Sequence, residues 1–71
     1  LKKVTTAMAG NVWKMLVTVG DTVNVGQEIA ILESMKMEIP IESTDKGTVS
    51  AVLKEEGMFV DEGDVLIELD D

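Results

Sequence analysis

Gly10-Asn11-Val12-Trp13-Lys14-Met15-Leu16-Val17-Thr18-Val19-Gly20 returns 37 positions later as Gly47-Thr48-Val49-Ser50-Ala51-Val52-Leu53-Lys54-Glu55-Glu56-Gly57. Gly10, Val12, Leu16 and Gly20 fall on Gly47, Val49, Leu53 and Gly57. Working outward at the same offset, Val23 meets Val60, Gly26 meets Gly63 and Leu32 meets Leu69. Val4 lies over Ile41, and Ile29 over Leu66. Glycines mark where a chain turns, and apolar positions mark what it buries. When both keep one register, the repeat is structural. Each half reads as a strand, a glycine turn, a strand, a tight turn, a short piece and a closing strand.

Local composition supports strands. Val12 to Val19 and Val49 to Leu53 are rich in β-branched and apolar residues. Val65 to Leu69 reads the same way, and Ile29 to Leu32 is too short and too closely flanked by acids for a helix. Gly20, Gly26, Gly57 and Gly63 suit turn positions. No segment has the length and apolar spacing of an amphipathic helix. The expected fold is all-β, about eight short strands in two quasi-symmetric halves, with two small sheets packed face to face. The expected core is Val12, Leu16, Val23, Ile29, Ile31, Val49, Leu53, Val60, Leu66 and Leu69. Trp13 fits either the core or a half-exposed position, with the core slightly preferred. Methionines away from Lys36 serve as core filler.

Composition narrows the chemistry. Residues 1–71 allow one domain. The chain has no cysteine and no histidine, which removes disulfides, the usual zinc and copper ligands and any Ser-His or Cys-His triad. All six cations are lysines, so bidentate arginine clamps on phosphate are missing. A formal net charge of -8 argues against nucleic acid as a partner. Nothing resembles a transmembrane segment or a signal peptide, which is compatible with a cytoplasmic location. From Glu55 to Asp71 there are eight acids and no cation. That run is read as a solvated acidic edge, with steering of basic partners as the sharper alternative.

Lys36 stands apart in Glu33-Ser34-Met35-Lys36-Met37-Glu38-Ile39-Pro40. It is the only lysine between Met15 and Asp45, and the repeat offset carries it off either end of the chain. It therefore belongs to the link between the halves, opposite the termini. A two-residue hairpin there would hold it at the tip. A lone amine at such a point is a candidate for covalent modification. Activating a lysine requires burial or a neighbouring cation, and the sequence supplies neither here. An enzyme that acylates Lys36 must remove its proton. Met35 and Met37 could pack at the turn or form a soft patch read by a partner. Glu33 is read as a solvated carboxylate at a strand end.

Met35-Lys36-Met37, embedded in this repeat, resembles the attachment signature of the biotin/lipoyl attachment domains. Gly47-Thr48-Val49, Gly20-Asp21 and Gly26-Gln27 resemble that family's turns. Ser34 stands where alanine is usual, Pro40 comes slightly late, and Thr44 stands where many relatives carry proline. The likeness covers essentially residues 1–71. It extends through Met8-Ala9-Gly10-Asn11-Val12-Trp13-Lys14 to small free-standing attachment proteins of the biotin carboxyl carrier kind. There is no room for the thumb insertion of some bacterial carriers. The resemblance implies a flattened β-barrel sandwich with Lys36 on an exposed hairpin turn. It implies biotin joined to Lys36 by a biotin protein ligase, with Met35 and Met37 as flanking recognition residues. It further implies carboxylation at a biotin carboxylase and delivery of the carboxyl group at a carboxyltransferase. The domain would be a monomeric carrier, with the chemistry left to its partners.

Two other functions are compatible with these residues. A lipoyl carrier for a 2-oxo acid dehydrogenase or glycine-cleavage complex would more often have Asp before the lysine and Ala after it. Glu33 and Gly20 still suit lipoyl-type recognition, so dual modification with lipoate is conceivable. An unmodified scaffold domain is the third reading.

Overall fold

The computed structural model describes residues 1–70, with eight strands and no helix. The strands are β1 (Lys2–Thr5), β2 (Gly10–Met15), β3 (Thr22–Val23), β4 (Glu28–Ser34), β5 (Met37–Glu42), β6 (Gly47–Val52), β7 (Phe59–Val60) and β8 (Val65–Asp70). They form two four-stranded sheets, in the orders β1-β8-β6-β3 and β5-β4-β2-β7, within a body of 34 × 19 × 18 Å.

The repeat offset exchanges the two sheets strand for strand. Lys2 opposite Leu69 in the first sheet matches Ile39 opposite Leu32 in the second. Thr48 opposite Asp70 likewise matches Asn11 opposite Glu33. Loop hydrogen bonds follow the same rule. Gly57 N–H donates to the Val12 carbonyl at 2.8 Å, and Gly20 N–H to the Val49 carbonyl at 2.9 Å. Each sheet takes two strands from each half, so neither half closes a sheet alone. The four turn glycines singled out in the sequence all have φ between 84° and 97°.

The core is one layer between the sheets. Val12, Val23, Ile29, Val49, Val60, Leu66 and Leu69 are buried as the sequence suggests, joined by Val4, Val17, Ala30, Leu32, Ile41 and Ile67. Each fully buried branched side chain contributes about 1.5–3 kcal/mol relative to exposure. Met8 and Met15 pack against this core as filler, whereas Met58 is exposed.

Besides Met58, four expectations about burial are corrected. Leu16 and Leu53 are 46% and 44% exposed, Trp13 is 42% exposed, and Ile31 is only partly buried. The cause is a pair of equivalent β-bulges. Between Val12 and Lys14 the register slips against β4, leaving Trp13 without a partner, and Ser50 is the matching extra residue in β6. A bulge breaks the in-out alternation of a strand. Counting by twos from Val12 places Leu16 inside; with the extra residue, Met15 and Val17 turn inward and Leu16 turns out. The same shift expels Leu53. A third slip, at Ile29 in β4, puts Ile29, Ala30 and Leu32 inside and Ile31 on the outer face.

Candidate functional site

β4 and β5 form a hairpin whose last pair is Ser34 opposite Met37, leaving Met35 and Lys36 as its two-residue turn. Both turn residues have positive φ, 51° and 64°. That is the left-handed pair required by a type I′ turn, whose twist matches the flanking strands. Asn-Gly is the usual occupant, because other side chains are strained there. Met35 and Lys36 carry no such signal, so the turn type could not be read from composition. The strong pairing of β4 with β5 on one side and β2 on the other imposes it.

The turn projects the site into solvent. Met35 is 93% exposed and Met37 63% exposed, and Lys36 is exposed. The packing role weighed for the two methionines is therefore excluded for Met35, which rests on nothing. Behind the turn, Glu33 lies opposite Glu38, and both are exposed. Two carboxylates thus stand at the base of a hairpin tipped by one ammonium. Among the described residues the only salt bridge is Lys54 with Asp64, at 4.0 Å, so Lys36 is not committed to an ion pair. No group of metal-ligating side chains exists among the described residues. The arrangement presents a primary amine at the tip of a paired two-strand hairpin, open to solvent.

The sequence model of the biotin-requiring enzyme family matches residues 2–69 of this chain. The chain belongs to the biotin/lipoyl attachment family. It is 63% identical over 62 residues to the biotin/lipoyl attachment protein of Bacillus subtilis, covering 87% of this chain and 85% of that protein. It is 50% identical over 60 residues to the biotin carboxyl carrier protein of Streptococcus mutans, covering 84% of this chain and 46% of the relative. Among solved structures, the Kluyveromyces lactis urea carboxylase superposes with a TM-score of 0.84 at 32% identity, over 93% of this chain and 6% of that one. The chain thus spans most of one small relative and only a fraction of the larger ones. The flattened sandwich expected from the resemblance is the fold of this biotin/lipoyl attachment member.

Proposed function

We propose that this protein is a biotin carrier in which Lys36 is acylated by biotin and presented to the two active sites of a biotin-dependent carboxylase. The single observation that carries this reading is the placement of an exposed primary amine, in no ion pair, at the tip of the two-residue turn between β4 and β5. The names of the relatives support it, among them a carrier protein and the alpha chain of human propionyl-CoA carboxylase, 43% identical over 63 residues.

The residues present fit the group. An amide needs a nucleophilic amine with open space around it, and Lys36 is exposed between two exposed methionines. When bound, biotin supplies a site that accepts a carboxyl group at one enzyme and gives it up at another. This chain's contribution is positional. β4 and β5 fix the direction in which the lysine leaves the body, and the positive-φ turn holds it clear of both sheets. Neither Glu33 nor Glu38 forms an ion pair with the Lys36 amine, so removal of the amine's proton is left to the ligase. The expected partners are a biotin protein ligase, a biotin carboxylase and a carboxyltransferase.

The test is intact mass after incubation with a biotin protein ligase, biotin and ATP. The wild-type protein should gain one biotinyl group. Lys36→Arg should fold and gain none, because a guanidinium stays protonated and accepts acyl groups poorly. Labelling that survives this substitution would sink the assignment. A second reading has one specific support: the name of the Bacillus subtilis relative covers lipoyl as well as biotin attachment. The same mass measurement on protein from its native cell distinguishes biotin, lipoate and no addition.

A further inference from the structure

The outer faces of the two sheets have equivalent backbones and unlike side chains. On the second sheet, Phe59, Asn11, Glu33 and Glu38 form one cross-strand row. Lys14, Ile31 and Pro40 form the next, with Trp13 bulging out beside Lys14. Phe59 is 63% exposed, Trp13 and Met58 are each 42% exposed, and Pro40 is exposed. At the repeat offset these become Thr22, Ser50, Asp21 and Lys3 on the first sheet, and Ile31 becomes Glu68. The first sheet shows that the fold tolerates polar residues at every one of these positions. The apolar group on the second sheet is therefore not demanded by packing, and clustered exposed aromatics mark interaction surfaces.

Position and charge specify the occupant. The row with Phe59 ends in Glu33 and Glu38, the pair immediately behind the Met35-Lys36 turn. Glu56 also borders the face, its carboxylate accepting from Met15 N–H at 3.1 Å. Lys14 is turned onto the Trp13 ring, with its ammonium 5.5 Å from the ring centroid. The patch thus has exposed apolar side chains about its centre, where Lys14 is the one cation, and is acidic at its rim. Before Lys36 is loaded there is no cofactor arm, so the loading enzyme must bring its body against the hairpin's base to reach the amine.

We infer that the outer face of the second sheet, centred on Trp13 and Phe59, docks the ligase that acylates Lys36 through an apolar centre and a basic rim. The inference rests on the carrier function proposed above. Trp13→Ser with Phe59→Thr gives the second sheet the residues its counterpart already carries, so the fold is retained. Steady-state biotinylation of the full chain should show KM for the carrier raised about ten-fold or more, as expected for losing buried aromatic anchors, with kcat little changed. Added salt should raise the wild-type KM, because rim carboxylates are screened. Lys3→Ala on the first sheet should leave KM unchanged.

An unchanged KM in the double variant, with wild type labelled normally, overturns the docking face and leaves the carrier reading standing. Failure to label wild type at Lys36 overturns both. Dimerisation of the unmodified chain that the double substitution abolishes would assign the face to a second copy and overturn the inference.

Discussion

Thr6 and Ser43 occupy equivalent positions, one repeat apart, and make the same hydrogen bonds. They are the two buried polar side chains among the described residues, at 1% and 2% exposure, one in each half. The Thr6 hydroxyl donates to the Met8 carbonyl at 2.7 Å and accepts from Met8 N–H at 3.2 Å. The Ser43 hydroxyl does the same with Asp45. Their backbones also cross to the other half: Thr6 bonds with Gly63 and Asp64, and Ser43 with Gly26 and Gln27.

Removing either hydroxyl should destabilise the fold by similar amounts. Thr6→Val and Ser43→Ala are each expected to cost about 1–2 kcal/mol, since each leaves a donor and an acceptor without a partner. The two sites share no partners, so the double variant should be additive to within about 0.5 kcal/mol. Urea unfolding of the three variants checks both statements. A cost near zero for either single variant would mean that water replaces the hydroxyl.

Gly10 and Gly47 are also repeat mates, yet they should respond differently. A Cβ at Gly47, where φ is +156°, would run into the Asp70 carbonyl. At Gly10 the nearest atom would be the Glu33 oxygen, 3.0 Å away, and φ is ordinary. Gly47→Ala should cost about 2 kcal/mol or more and Gly10→Ala about 1 kcal/mol, the mechanisms being backbone collision and mild crowding. Equal losses of thermal midpoint would contradict this.

The hairpin turn carries strain that a single residue can relieve. Met35→Asn should stabilise the protein by about 0.5–1 kcal/mol, because asparagine tolerates the left-handed region. Met35→Val should act in the opposite direction, since a β-branched side chain is worse there. Denaturation midpoints of the two variants should fall on opposite sides of wild type.

Met35 and Met37 offer a test of what selects the acyl group. If a ligase reads them, Met35→Asp with Met37→Ala should slow biotinylation and speed lipoylation, because an anion replaces a soft apolar contact beside the amine. Single-turnover labelling by each ligase measures both rates. Unchanged rates would show that hairpin position alone is read and that the methionines act elsewhere.

The glycine register and the matched apolar positions made the strand count and the hairpin legible in the sequence. Burial was less legible. A matched pair such as Leu16 and Leu53 shows that two positions share an environment; it does not say which environment. Both lie past a bulge that reverses strand parity, and both are exposed. Conversely, Val17 and Lys54 occupy matched positions, and only the valine is in the core. The turn that carries Lys36 was located by symmetry, but its positive φ values arise from tertiary pairing with no residue signal to announce them.

The exchange of strands between halves has a consequence during synthesis. β8 lies between β1 and β6, so the first sheet lacks an interior strand until residues 65–70 have left the ribosome. Nascent chains shorter than this hold an open sheet edge and an unfinished core, however early the β4–β5 hairpin forms. Lys36 is translated well before β8, and the body that steadies it is completed only when residues 65–70 take their place. A loading enzyme that requires the finished surface would therefore act only once β8 has emerged and paired, and products truncated before it would go unlabelled.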